Sequence, residues 1–255
     1  MWRALRISVL LLVLLVVAAQ AWFDRYSTTR WHRAVFVGAF PVSADGSPVT
    51  ADYLAQLDQS RIDEVSDFLK AEAQRYAVSV DEPVDLQLFP TLSEAPPILD
   101  PGAGILTRIV WSLRLRYYRH RIVAAVSPRP QIALFLVYHD PARASRLPHS
   151  AGLQRGLTGV VHLFATASQE AQNRIVIAHE LLHTFGATDK YDLATGLPRY
   201  PDGFAEPDLE PRYPQHLAEI MAARMPLSAM EARLPDGLAQ ERVGPLTARE
   251  IGWLR

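Results

Sequence analysis

The stretch from Ile175 to Asp192 has the sequence IVIAHELLHTFGATDKYD and contains side chains suited to binding a metal ion. His179 and His183 stand four residues apart, so on a helix both imidazoles leave the same face and can share one ion. Glu180 follows the first histidine, where its carboxylate can take a proton from a water molecule on the metal. The spacing predicts a metal centre with a general base beside it. A helix with two histidines whose hydrogen bonds are satisfied without a metal is the competing interpretation.

The residues after the second histidine indicate how a third ligand could reach the ion. Gly186 stands where a residue of positive φ can end the helix and turn the chain sharply. Asp189 follows three residues later, and its carboxylate can turn back onto the metal. Further downstream, the alternative ligands are His216, Asp192, Glu210 and, as the best of them, Glu219. The spacing of Gly186 and Asp189 favours Asp189 as the third ligand.

These residues resemble the signature of the metzincin clan of zinc peptidases, His-Glu-x-x-His-x-x-Gly-x-x-His/Asp followed by a turn that contains a methionine. The positions that match the signature are His179, Glu180, His183, Gly186 and Asp189. The resemblance makes Met221, in the segment AEIMA, the methionine of the turn, with Met225 as the alternative. It implies Zn²⁺ as cofactor. An aspartate as third ligand departs from most of the clan and is similar to the snapalysin-like minority.

The elements needed to position this site can be predicted from apolar periodicity. Strands are expected at 34–42, 84–89, 132–138 and 159–164, and helices at 51–76 (one long or two joined), 105–118, 173–185 and 247–254. This order predicts an α+β fold, a mixed sheet with packed helices. The resemblance implies that it is zincin-like, with an active-site helix and a Met-turn, and that strand 159–164 is the edge along which a peptide substrate lies.

The N-terminus carries an export or membrane signal. Arg3 and Arg6 precede a run from Ile7 to Ala19 that is apolar apart from one serine. Residues 1–23 are therefore predicted to be either an uncleaved signal-anchor or a signal peptide cleaved after Ala19-Gln20-Ala21. Residues 24–33 are then a linker, and 34–255 form the metallopeptidase-like domain. Both alternatives place that domain outside the cytoplasm, anchored to the membrane or, after cleavage, secreted or periplasmic.

Composition narrows the function further. A formal net charge of −1 gives no support to nucleic-acid binding, and the absence of cysteine leaves His, Asp and Glu as metal ligands. The sequence predicts a membrane-tethered or exported zinc metallopeptidase, a hydrolase that acts on a peptide or protein substrate. The alternative is a non-catalytic, zinc-stabilised, membrane-anchored binding or assembly protein. The intact Glu180 favours the enzyme, because a structural site needs no base.

Overall fold

A computed structural model describes residues 28–254 except 101 and 155, together with residues 2, 6–8, 11, 12, 15 and 19. Most of the predicted membrane segment 1–23 and the first part of the predicted linker 24–33 lie outside the described residues. Among the helices that the described residues form, none has both the length and the apolar character that crossing a bilayer requires.

A mixed sheet of five strands and the helices packed on it form an α/β arrangement; the strands are β1 (Val35–Ser43), β2 (Val84–Leu88), β3 (Ile132–His139), β4 (Ala151–Leu153) and β5 (Thr158–Phe164). Their order in the sheet is β2-β1-β3-β5-β4. Four strands run parallel, and β4 alone is antiparallel to its neighbour β5. The helices are α1 (Pro48–Ala55), α2 (Ser60–Arg75), α3 (Ile105–Ala124), α4 (Glu170–Phe185) and α5 (Pro245–Glu250).

Two smaller sheets lie in the C-terminal part of the chain, and their strands are β6 (Ala218–Glu219), β7 (Met225–Pro226), β8 (Ala232–Arg233) and β9 (Glu241–Arg242). Strand β6 pairs with β9, and β7 pairs with β8. Short 3₁₀ turns occur at Ala167–Gln169, Ile220–Ala222 and Leu238–Gln240.

The central strand β3 divides the core into two layers. Its residues are apolar up to Tyr138, as expected for a parallel strand that is buried on both faces. Leu134 and Leu136 face the layer that contains α4 and α2. Phe135 and Val137 face the layer that contains α3. Helices α3 and α4 therefore pack on opposite faces of the sheet.

The segment 51–76 forms two helices, which is one of the two predicted alternatives, and the first begins at Pro48 with Ser47 as its cap, since the Ser47 Oγ accepts from the N–H of Thr50. Other predicted elements differ from the structure. Helix α3 extends six residues beyond the predicted end, because Ile122 and Val123 continue its apolar face after a polar interval. The expectation that strand 159–164 is an edge strand is wrong.

Strand β4 is the true edge of the sheet, and it covers the start of β5. Ala151, Gly152 and Leu153 pair with Val160, Gly159 and Thr158. Beyond this pairing, the Asn173 side-chain amide binds both the N–H and the C=O of Phe164. A strand of three residues that contains glycine is too short to give an alternating pattern, so the sequence carried no signal for it.

Candidate metal centre

Helix α4 presents the two histidines on one face. Its opposite side is anchored in the core by buried apolar residues, among them Ile177, Leu181 and Phe185. His179 and His183 lie one turn apart, with their ring centroids separated by 4.7 Å and their planes at 84°. The helix is thus held by its apolar side while its other side carries the imidazoles.

The end of α4 orients His183. Gly186 has φ 106°, and the N–H groups of Gly186 and Ala187 donate to the carbonyls of His183 and Leu182. This is a Schellman motif, which requires the left-handed backbone conformation that glycine adopts without strain. The turn also brings the Ala187 carbonyl within 2.8 Å of the Nδ1 atom of His183.

A second turn orients His179. The 3₁₀ turn Ile220–Ala222 lies beside α4, and the Ile220 carbonyl is 2.9 Å from the Nδ1 atom of His179. The next residue, Met221, is fully buried in the main core, and its carbonyl accepts from the N–H of Lys190. Met225 lies instead in β7. Of the two methionines, Met221 is therefore the one in the turn against the metal-site helix.

These carbonyl contacts fix the tautomers of both histidines. A carbonyl oxygen can only accept a hydrogen bond, so each Nδ1 carries the proton, and in the neutral ring the Nε2 lone pair is left free. The Nε2 atoms of His179 and His183 are 3.1 Å apart, and the Oδ1 atom of Asp189 is 3.2 Å from each of them. Three lone-pair donors therefore converge on one point.

The triangle of donors has the dimensions of a cation site. Tetrahedral ligands at roughly 2.0–2.1 Å from a zinc ion stand about 3.3 Å apart, close to the observed 3.1–3.2 Å. The Asp189 Oδ1 atom is buried and has no hydrogen-bond partner among the described residues. An orphaned carboxylate oxygen between two imidazole nitrogens fits a bound cation. The residues present therefore suit the metal that the sequence predicted.

In the triad formed by His179, His183 and Asp189, the pKa shifts of Asp189 and His179 reflect the same convergence. Burial raises the pKa of Asp189, but the neighbouring His179 and His183 outweigh it and hold this pKa well below its ordinary range. Burial lowers the pKa of His179, but Asp189 and Glu180 more than compensate, so this pKa lies above its ordinary value. The site stabilises positive charge at its centre.

Glu180 is the second carboxylate near the imidazoles. One oxygen of Glu180 lies within 4.8 Å of a nitrogen of each histidine, so His179, Glu180 and His183 form a candidate metal-binding group. The Oδ1 atom of Asp189 is nearer, at 3.2 Å from the Nε2 atom of each histidine. The Oε2 atom of Glu180 is buried without a hydrogen-bond partner among the described residues. Burial raises the pKa of Glu180, although both histidines oppose the shift.

Strand β4 passes close to the backbone of helix α4 at Glu180. A Cβ atom on Gly152 would overlap the Glu180 carbonyl and the Cβ of His183, so only glycine fits this crossing. The backbone N–H of Gly152 interacts with the Glu180 carboxylate and acts to lower its pKa. Sequence reasoning missed Gly152, because a lone glycine in a loop-like segment does not indicate which helix it crosses.

The Tyr191 side chain carries a hydroxyl group close to Asp189 and Glu180. Burial raises its pKa, and the negative charges of Asp189 and Glu180 add to the shift. Tyr200 lies elsewhere, half-exposed against Phe204 and Arg212, and Tyr213 also packs on Phe204.

The alternative third ligands have other hydrogen-bond partners or are exposed. Glu219 is buried and accepts hydrogen bonds from Met221, Gly244 and Thr247, so it braces the 3₁₀ turn instead of facing the histidines. The Asp192 carboxylate accepts hydrogen bonds from the N–H groups of Ala194 and Thr195 in its own loop. The remaining two alternatives are exposed, and one of them, His216, interacts with Glu206.

Comparisons with known proteins add little to this geometry. No protein-family model matches the chain, and no curated protein matches it. Among solved structures it is similar to catalytic inactive OgpA from Akkermansia muciniphila, determined in complex with an O-glycopeptide (glycodrosocin) substrate. The TM-score is 0.42 at 11% sequence identity, and the match covers 84% of this chain and 58% of that one. A likeness this distant has no bearing on the function.

Proposed function

We propose that this chain is a zinc-dependent, metzincin-like peptidase. His179, His183 and Asp189 hold the ion, and Glu180 is the general base. The observation that carries the proposal is the convergence of two Nε2 lone pairs and one orphaned carboxylate oxygen within 3.2 Å. Two imidazoles and one carboxylate are one of the donor sets of catalytic zinc sites, in which a further position stays open for water or substrate.

The bound ion would supply Lewis acidity, which lowers the pKa of water and polarises a carbonyl group. Glu180 accepts a proton from the attacking water and passes it to the nitrogen of the leaving amine. A group that acts first as a base and then as an acid works best when its pKa lies near the operating pH. Tyr191 donates its hydroxyl proton in a hydrogen bond to the oxygen that becomes negative.

The edge of the sheet suggests how a peptide is held. Strand β4 ends the strand order, so its outer edge pairs with no strand among the described residues. Gly152 in this strand lies against Glu180 and His183. An extended peptide that adds to β4 as a further strand would pass beside the metal centre. The edge strand that we assign to the substrate is therefore β4 in place of 159–164.

The N-terminal segment bears on where this chemistry takes place. We propose that residues 1–23 export the domain from the cytoplasm, as a membrane anchor or as a cleaved signal. Fusion of the full chain to a reporter enzyme that is active only outside the cytoplasm tests this location. Sequencing of the mature N-terminus distinguishes the anchor from the cleaved signal.

Glu180→Gln separates catalysis from metal binding. We expect the variant to retain zinc, measured by elemental analysis, and to lose cleavage of a mixed peptide library, measured by mass spectrometry of new N-termini. Glu210→Gln, an exposed residue away from the triad, is the matched control and should cleave like the unmodified chain. Unchanged cleavage by Glu180→Gln would rule out the proposed mechanism, in which Glu180 is the general base. Zinc binding without cleavage in the unmodified chain would favour the non-catalytic binding protein.

A further inference from the structure

Helix α3 carries an apolar stripe on its solvent side. Only three of its 20 residues are buried. The apolar stripe consists of five residues that are between 48% and 76% exposed, namely Leu106, Ile109, Val110, Leu113 and Tyr117. At 100° per residue they share the face opposite the buried residues Leu115 and Tyr118. The face that α3 turns to the solvent is therefore mainly apolar.

Arginines border the apolar stripe on both sides. By the same helical geometry, Arg116 lies along one side and Arg114 and Arg121 along the other, and all three are exposed. The sequence of α3, ILTRIVWSLRLRYYRHRIVA, has five arginines and no acidic residue. Arg121 pairs with Glu94, which offsets part of this charge. The face as a whole remains apolar with positive borders.

A neighbouring loop extends the apolar surface. The indole Nε1 of Trp111 donates to the Pro97 carbonyl at 2.8 Å, and the Tyr118 hydroxyl donates to the Glu94 carbonyl. These bonds hold the loop beside α3, where Ile98 is 76% exposed. A shallow pocket of about 290 Å³ opens between the loop and the helix, and Arg114 is part of its lining.

We propose that α3 lies on the surface of an anionic lipid bilayer, with the apolar stripe inserted among the acyl chains and the arginines at the phosphate groups. An apolar helix face bordered by arginine is the pattern of helices that lie in the membrane interface. A second copy of the chain fits poorly, because it would place arginines against arginines. This contact is separate from the N-terminal segment and does not depend on the proposed peptidase activity.

The placement of α3 leaves the metal centre accessible. Leu115 and Tyr118 pack on the sheet face that includes Phe135, while the metal-site helix α4 packs on the other face. A protein docked through α3 would therefore keep α4 on the side away from the lipid. Substrates in solution or on neighbouring membrane proteins would reach the site from there.

The absence of cysteine permits a positional test on the full chain. Leu113→Cys and, as control, Met230→Cys, which replaces a residue that is 84% exposed, are labelled with the same environment-sensitive fluorophore. Each is mixed with phosphatidylcholine vesicles that contain phosphatidylglycerol and a nitroxide-labelled lipid. We expect the label at 113 to be quenched and the label at 230 to stay bright, even where the N-terminal segment brings both to the vesicle.

The arginines should control the docking equilibrium. Each of Arg114→Gln and Arg116→Gln should shift the equilibrium about fivefold toward the unquenched label, since one arginine near an anionic surface contributes about 1 kcal/mol. High salt should act in the same direction. Tyr117→Cys, labelled in the same way, should repeat the result at 113.

Three outcomes would overturn the proposal. The first is equal quenching at 113 and 230. The second is a label at 113 that is shielded before vesicles are added and is never quenched by lipid, which would mean that another part of the chain covers the stripe. The third is concentration-dependent contact between labels at 113 without lipid quenching, which would assign the stripe to a second copy.

Discussion

The ammonium Nζ of Lys190 lies 2.6 Å from the Oε2 atom of Glu250, and this pair joins the loop of Asp189 to the last helix. The same carboxylate accepts from the N–H and the hydroxyl of Thr188. Residues on both sides of Asp189 are thus bound to one side chain, and Arg199 donates to the Asp189 carbonyl. These hydrogen bonds therefore hold the loop that contains Asp189 in position.

Replacing Glu250 should therefore weaken metal binding without touching a ligand. We expect Glu250→Ala to lower zinc affinity by about 10- to 100-fold, the usual effect of removing a group that orients a ligand. Titration against a competing chelator measures it, and Glu210→Ala is the exposed control. Equal affinities in the two variants would mean that Asp189 needs no such support.

Gly186→Ala tests the turn that ends α4. An alanine at φ 106° costs about 1–2 kcal/mol, and its Cβ would also press on the Gln154 side chain. We expect the free energy of unfolding to fall by at least this amount in chemical denaturation. Gly104→Ala is the matched control, because that backbone is extended and nothing lies within 4 Å of its Cβ position. Equal stability of the two variants would refute the role given to Gly186.

Tyr191→Phe tests the hydroxyl beside Asp189 and Glu180. If it stabilises the developing negative charge, its loss should lower kcat by about a hundredfold or more while zinc content stays the same. Tyr200→Phe, at a half-exposed tyrosine outside the site, should keep full activity. A fall in zinc content together with kcat would instead assign Tyr191 to the support of Asp189.

His162 should make folding sensitive to acid. Its Nδ1 atom is 2.9 Å from the Nε2 of His139, and burial together with His139 lowers its pKa from 6.5 to about 4. The unfolded chain therefore binds the proton first as pH falls, so stability is full above about pH 6.5 and declines toward pH 4. His162→Asn should flatten this decline in denaturation curves measured across that range. His149→Asn, at an exposed histidine, should leave it unchanged.

The sequence alone was sufficient to predict the residues of the site that lie close together along the chain. His179, His183 and Gly186 belong to one helix and its end, so their spacing alone predicts which side chains share a face and where the chain turns. Asp189 follows from the same short segment.

The remainder depends on contacts between distant parts of the chain. Glu250 binds the loop across about 60 residues, and the Ile220 carbonyl reaches His179 across 41. A glutamate at the end of a short helix or a carbonyl in a turn gives no pattern that periodicity can detect. The crossing of Gly152 over Glu180 likewise appears only when the sheet is assembled.

Metal content measured on the purified full chain tests the central claim most directly. The account predicts about one zinc ion per chain in the unmodified protein. His183→Ala and Asp189→Ala, which each remove one of the three converging donors, should lose most of it. Absence of zinc from the unmodified chain after incubation with the metal, or retention of zinc at equal affinity in both variants, would contradict the account.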